Sequence, residues 1–443
     1  MRISDIDPNF RLSNDVPVDM KFRSVWESPF QIYGIAENGT GDFCRLPRTL
    51  LPRCSAGVQR LAKYLAGACV RFSTDADSLS VLWELVTGAN MPHFSPCGKN
   101  GMELFEETAQ GTRHVANLIP ALEEGGVCRL KQSSFVRLPG GMRSYVLYLP
   151  LYNGLKTLML GLPPQAQILS GRTPRTEKPI VFYGSSVTQG ACASKAGSCY
   201  TTLLARRLDA AQINLGFSGN AKGEVELAHY IASLDMSLFV YDYDYNAPSV
   251  EYLQATHEPF FRIVREAHPD LPIVMMSRSS GKRNAEVEAR REVIRTTFAN
   301  AQAAGDRNVW FVNGAESFGE TDRDMCTVDG AHSTDIGFLR MADALEPLLR
   351  EILWTTDHMP DRWKKLHRMA RSGHSVQLLS STLTYVIIGG KGNHVFFCLC
   401  EVVIPAIGSY QLPTGCRFGA EIDGVIGLFR IEERNEGGTV AAP

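Results

Sequence analysis

Two rhythms of apolar and polar positions divide the chain. From residue 1 to about 172, short apolar runs are separated by Gly, Pro and Asn: Gly67–Phe72 (GACVRF), Leu79–Leu85 (LSVLWEL), Tyr145–Leu151 (YVLYLPL) and Thr157–Leu162. Runs of this length bounded by turn formers predict strands, and several in succession predict a β-sandwich or jelly roll. A turn- and charge-rich stretch, Gly171–Lys178 (GRTPRTEK), reads as a linker.

From Pro179 to about Leu353, short apolar strands alternate with amphipathic helices. Strands are expected at Ile180–Tyr183, Gln212–Leu215, Leu238–Tyr241, Pro272–Met276 and Val309–Val312. Helices are expected at Cys199–Leu208, Glu224–Leu234, Val250–Ala267, Asn284–Ala304 and Asp335–Ile352. In the fourth helix Val287, Ile294, Phe298 and Ala301 share a face at the helical period. This alternation predicts an α/β fold, a doubly wound parallel sheet of five strands covered on both faces. The expected organisation is therefore a β-sandwich-like accessory domain over 1–172, a catalytic α/β domain over 178–355, and a tail over 356–443. The tail opens on a basic segment, Asp361–Arg371, read as a solvated helical extension, and continues with strand-like runs (TYVIIGG, HVFFCLCEVVIPAIG).

Composition narrows the class. The 443 residues carry 45 basic and 47 acidic side chains and are 44% hydrophobic, which is an ordinary globular balance. A net charge of −2 leaves no global basic footprint, so neither nucleic acid nor an anionic membrane is an expected partner. The N-terminal MRISDIDPNF lacks a basic region followed by an apolar one, and the longest apolar candidate, His394–Ser409, is too short to span a bilayer and contains Glu401. A cytoplasmic protein is expected. The eleven cysteines include no C-x-x-C pair and read as free thiols. A homo-oligomer is compatible with the sequence.

Ligands of doubly wound sheets bind beyond the carboxyl ends of the strands. The residues there are Gly184-Ser185-Ser186-Val187-Thr188-Gln189-Gly190, Gly216-Phe217-Ser218-Gly219-Asn220, Asp242 through Pro248, and Asp329-Gly330-Ala331-His332. Singly these are turn and cap residues. Together they supply each part that acyl transfer needs. Ser186 offers a hydroxyl, His332 can take its proton, and Asp329 can fix the imidazole tautomer. The backbone N–H groups of Ser186 and Gly219 and the Asn246 amide can hold an oxyanion. Gly219 is expected where a side chain would obstruct the substrate.

This pattern closely resembles the SGNH (GDSL-type) hydrolase superfamily over about residues 178–355. Ser186 matches the family's nucleophile, with Ser185 in place of the usual Asp. Gly219 and Asn246 match its oxyanion residues, with Ala247 where Asp is common, and Asp329 with His332 matches its final block. The runs GSSVTQGACAS, NLGFSGNAKGE and DYDYNAP look like a subgroup carrying an extra N-terminal domain. That domain's G-x-D-L-Y signature is matched loosely by Gly101-Met102-Glu103-Leu104-Phe105. The resemblance implies a serine esterase working through an acyl-enzyme, without cofactor or metal, on short-chain, acetyl-like esters of a small molecule or saccharide.

Two rivals come from other classes. FVYDYDYN places Asp242 and Asp244 after a hydrophobic strand, the D-x-D spacing of metal-dependent phosphatases. There the pair normally follows the first strand, so hydrogen bonding that positions the Asn246 turn is the expected role. A non-catalytic carbohydrate-binding protein would instead use Trp26, Tyr33 and Trp83 to stack on sugar rings. An α/β-hydrolase elbow would need Gly at 188, where Thr stands.

Overall fold

A computed structural model of the chain describes residues 19–36, 41–88, 91–279 and 284–354, and the backbone of two short strands beyond them. The described residues up to Leu353 form one compact unit.

The N-terminal part contributes β1 (Lys21–Ser24), β2 (Gln31–Tyr33), β3 (Cys69–Thr74), β4 (Ser78–Leu85) and β5 (Met102–Thr108). It continues with β6 (Gly111–Leu118), β7 (Lys131–Arg137), β8 (Arg143–Tyr148), β9 (Leu155–Leu162) and β10 (Ile168–Ser170). These make two antiparallel sheets, ordered β1-β9-β4-β7 and β10-β3-β8-β5-β6, with β2 beside β3. Phe72, Leu79, Val81, Trp83, Leu104, Leu147 and Leu160 fill the space between the sheets, which is the expected sandwich.

The larger sheet is buried on its second face as well. Because side chains alternate along a strand, Val70 and Phe72 enter the sandwich core while Cys69 points the other way. There Cys69, Phe105, Val146 and Tyr148 pack against Ala196, in the α/β part. A second bridge is the segment holding the helix α1 (Ala56–Leu61), whose N-cap Ser55 accepts from Val58 N–H. Its Val58 and Leu61, with Cys44 and Leu46, join the apolar core under the parallel sheet. Arg45 is fully buried here and donates to three carbonyls: Leu61 (2.8 Å), Tyr64 (2.6 Å) and Asn214 of the α/β part (2.6 Å). Its guanidinium also lies 4.9 Å from the Phe217 ring centroid. A buried cation with every arm hydrogen-bonded avoids the cost of an unpaired one.

The parallel sheet contains β11 (Thr176–Gly184), β12 (Ala210–Gly216), β13 (Leu238–Asp242), β14 (Ile273–Met276) and β15 (Val309–Val312), in the order β12-β11-β13-β14-β15. The expected doubly wound sheet of five strands is present. After α1 and the short α2 (Pro96–Asn100), the helices of this part are α3 (Ser186–Gln189), α4 (Tyr200–Arg207), α5 (Val225–Ala232), α6 (Val250–Ala267), α7 (Ala285–Ala303) and α8 (Asp335–Trp354). Ser249 caps α6 by accepting from Tyr252 N–H, and Leu253, His257, Phe260, Phe261 and Val264 recur at the helical period on its buried face. His257 is a core histidine: its Nδ1 meets Thr297 Oγ1 at 2.8 Å, and burial lowers its pKa to about 3.

The stretch expected to be a linker is instead packed. β11 begins within it, pairing Thr176 with Ala210, and Arg172 forms an ion pair with Asp209. Its charges are there to find partners. Beyond Trp354, Val386–Ile388 pairs antiparallel with Phe396–Cys398. The basic segment Asp361–Arg371 lies outside the described residues. Among those described, no helix is long and apolar enough to cross a membrane.

Candidate active site

In the parallel sheet, Gly184 is in register with Gly216 on one side and Asp242 on the other. The first-, second- and third-strand loops therefore leave the sheet from one level, at the point where the strand order reverses. Gly184 is required by space, since a Cβ there would lie 1.7 Å from Asp242 Oδ1. Ser185, extended at the N-cap, accepts from Val187 N–H and turns the chain into α3. Ser186 opens this one-turn helix and is only 4% exposed, so its hydroxyl lies at the floor of the edge.

The second loop is held against the first by Gln189. Its Oε1 accepts from Ser218 N–H at 2.9 Å while its Nε2 donates to Leu151 carbonyl at 3.2 Å. The following residue, Gly219, is exposed at φ +69°, with open space where a Cβ would stand. The need for glycine shown here is thus conformational rather than steric. Asn246 donates one amide N–H to Phe217 carbonyl at 3.0 Å, which fixes the side chain over the same loop and leaves its second N–H.

Asp329 and His332 meet directly. His332 Nδ1 lies 2.8 Å from Asp329 Oδ2, and Asp329 Oδ1 accepts from the backbone N–H of His332 (2.8 Å) and Ala331 (2.9 Å). Burial acts to raise the Asp329 carboxyl, but these two backbone donors and the imidazole outweigh it and hold the group well below the usual carboxylate range. A fixed carboxylate on Nδ1 leaves Nε2 as the basic nitrogen. The His332 loop is closed by the Thr327–Ser333 bridge and tied to the loop after Ser186 by Asp335, which accepts from Ser194 N–H at 2.8 Å and from the Ser194 hydroxyl. In that loop Cys192 places its sulfur within 4.8 Å of a His332 ring nitrogen. A direct Ser186–His332 hydrogen bond is not among those of the described residues; catalytic pairs commonly tighten only around substrate.

Asp242 takes a different role from the one expected, whereas Asp244 lies in the turn that leads to Asn246. Asp242 accepts from the hydroxyls of Thr188 and Tyr200, so it braces the α3 turn rather than the Asn246 turn. Asp244 Oδ2 accepts from Arg278 N–H at 3.1 Å. Burial, reinforced by the charge of Asp244, outweighs these hydroxyl donors and pushes Asp242 up to about 8. Both oxygens of Asp242 and Oδ2 of Asp244 already have donors within the chain, which gives this pair a structural role in our reading. Between the ordinary carboxylate range and about pH 8, the folded chain holds a proton that the unfolded chain has released. Stability from this group is full below that window and lost as pH rises through it. Thermal denaturation should therefore show the wild-type Tm falling across this window and a shallower fall in Asp242→Asn; parallel profiles would contradict the assignment.

Two positioning groups come from the sandwich part; Tyr152 carried no signal in the sequence, whereas Glu103 lies in a run the sequence marked. Tyr152, from the sandwich part, donates to the Ser186 carbonyl at 3.1 Å. Glu103, the acidic position of the G-x-D-L-Y-like run, accepts from Gly197 N–H at 2.8 Å and from Lys195 Nζ at 2.7 Å, bracing the loop that carries Cys192. Burial, with the Asp329 charge adding to it, pushes the Cys192 thiol up to about 12, so it offers no competing nucleophile. Of the aromatics considered for sugar stacking, Trp83 is a core residue at 2% exposure. Tyr33 lies under Arg71, and Trp26 packs on Phe43.

Residues 177–350 match the GDSL-like lipase/acylhydrolase family, and residues 20–168 match the GxDLY family, the N-terminus of SGNH-hydrolase-type esterases. No curated protein matches the chain. A structure described as a GDSL-like lipase from Bacteroides ovatus is 28% identical, with a TM-score of 0.67, covering 75% of this chain and 98% of its own. The salicylyl-acyltransferase SsfX3 of a tetracycline biosynthetic pathway is similar at 17% identity and a TM-score of 0.62, over 76% and 98% of the two chains. A family two carbohydrate esterase from Cellvibrio japonicus shares the fold at 14% identity and a TM-score of 0.50, over 75% and 98%.

Proposed function

We propose that this chain, which belongs to the GDSL-like lipase/acylhydrolase family over residues 177–350 and carries the N-terminal domain of SGNH-type esterases over 20–168, hydrolyses short acyl esters, chiefly acetyl, on saccharides. That it is an SGNH hydrolase acting on esters, whether as esterase or acyltransferase, follows from the family. The identity of the acyl group and of its carrier is our reading.

In this reading His332 Nε2 takes the Ser186 proton as Oγ adds to the ester carbonyl. Asp329 keeps Nδ1 protonated and stabilises the imidazolium. The oxyanion is held by the N–H groups of Ser186 and Gly219 and by the free amide N–H of Asn246. Loss of one such donor typically costs about a hundred- to a thousandfold in rate. Collapse returns the proton from His332 to the leaving alcohol, and water then attacks the acyl-serine by the same relay. The Asp329–His332 pair beside the Ser186 loop is the observation that carries this chemistry.

Support for a small acyl group comes from the loops. In the described loops between each of the five strands and the long helix that follows it, the helical turns are Ser186–Gln189, Gly314–Glu316 and Arg323–Cys326, none longer than four residues, so none of them provides the long apolar lid of a lipase. Asp329 and Gly219 stand exposed at the mouth, where water can reach an acyl-enzyme. The fold likeness to a carbohydrate esterase is the ground for choosing a saccharide. A panel of acetyl, butyryl and longer p-nitrophenyl esters, together with acetylated oligosaccharides, tests the reading. Turnover should fall as the acyl chain lengthens, and acetate should be released from the oligosaccharides. Preference for long chains, or transfer to an added alcohol in place of release to water, would replace it.

A further inference from the structure

One cluster near the mouth joins His332 to two side chains that this chemistry does not use. His93, Cys192 and His332 come from three separate segments: the turn before α2 in the sandwich part, the loop after Ser186, and the loop before α8. One ligand atom from each lies within 4.8 Å of the other two. The two imidazole rings sit with centroids 5.7 Å apart, tilted by 41°. Cys192 is buried and held at φ +68°, a conformation unusual for a side chain that could have adopted the ordinary one, while His93 is exposed.

Two imidazoles and a thiol are the donor set that soft and borderline divalent cations select. Around a tetrahedral zinc, with bonds of about 2.0–2.3 Å, neighbouring ligand atoms stand roughly 3.3–3.7 Å apart. Rotation of the exposed His93 side chain can close the remaining gap, and its exposure gives the ion a way in. The second sphere is already built. Histidine ligands usually give their other ring N–H to a carboxylate, and His332 does this to Asp329. The nitrogen that would ligate is Nε2, the one our mechanism uses as base.

We infer that His93, Cys192 and His332 form a binding site for a zinc-class divalent cation, and that an ion bound there silences the hydrolase by occupying the His332 lone pair. The silencing rests on the catalytic role proposed above for His332; the binding does not. Binding displaces the Cys192 thiol proton to solvent, forms one metal–sulfur and two metal–nitrogen bonds, and leaves a fourth position for water. Oxidation state is unchanged.

Cobalt(II) is the probe for binding, because it reports the site without any substrate. The full chain should take up one cobalt per chain and develop the visible bands of tetrahedral coordination with a thiolate-to-cobalt charge-transfer band. That band should vanish in Cys192→Ser, and His93→Ala should bind about tenfold or more weakly. Zinc should halt turnover of p-nitrophenyl acetate in the wild type. Both variants should turn over normally without zinc and need about tenfold or more zinc for the same inhibition. Absence of the thiolate band, or equal zinc sensitivity of Cys192→Ser and wild type, overturns the site. Cobalt binding with the band but undiminished turnover in zinc overturns the silencing. Cobalt binding in a chain that cleaves no ester upholds the site and sinks the hydrolase reading instead.

Discussion

Replacing Ser186 by Ala is expected to lower ester turnover by about a millionfold and to abolish labelling by a serine-directed fluorophosphonate. The size follows from what the hydroxyl alone supplies. Without it there is no acyl-enzyme, so the relay has no proton to move, and removing the nucleophile costs about as much as removing the relay with it. The oxyanion donors proposed at Gly219 and Asn246 do not depend on the Ser186 side chain, so a residual rate above that of water should persist. Fold should survive the change. Ser186 enters α3 through its backbone, with Ser185 as the cap and the Ser186 carbonyl held by Tyr152. Circular dichroism and Tm should match the wild type while the rate collapses. A variant that keeps more than about a hundredth of wild-type kcat would remove Ser186 from the reaction.

Asp329→Asn is expected to lower kcat by about 10^4-fold with little change in KM. The substitution is selective because the two oxygens of Asp329 have separate tasks. Oδ1 holds the loop through the N–H groups of Ala331 and His332, and an amide oxygen can do the same. Oδ2 accepts from His332 Nδ1, and there an amide NH2 would donate instead. The imidazole must then carry its proton on Nε2, facing the nucleophile with no lone pair to offer. The loop stays in place and the base is lost. Nitrogen-15 chemical shifts of His332 should report the exchanged tautomer, an effect that a merely structural role for Asp329 would not produce. A kcat within about tenfold of wild type would assign the carboxylate to loop structure alone.

How much of this was legible beforehand follows from the range of the interactions involved. The five parallel strands and the long helices could be read because each buries a continuous or periodic apolar face, as β13 (Leu238–Asp242) and α6 (Val250–Ala267) do. Boundaries moved by a residue or a few, as where the polar run from Thr176 or the small residues Ala210 and Ala211 extend a strand. Residues whose identity is set by local turn chemistry, such as Ser185, Gly219 and the Asp329–His332 pair, were visible for the same reason. What stayed hidden depends on contacts between segments far apart in the chain. Gln189 reaches both Ser218 and Leu151, Asp335 reaches Ser194, and Asp242 reaches Thr188, with nothing in the local sequence to announce any of these. Polar residues buried at such crossings look like ordinary loop residues in one dimension.

The buried guanidinium of Arg45 bears on cooperativity as well as on stability. The seam between residues 168 and 177 separates the matches to two family models, yet Arg45 from one side donates to the Asn214 carbonyl from the other. Tyr152 and Glu103 cross the same seam to steady the turn that bears Ser186 and the loop beyond it. A border between two family models need not be a border in unfolding. With polar ties of this kind across it, a single calorimetric transition is the expected signature.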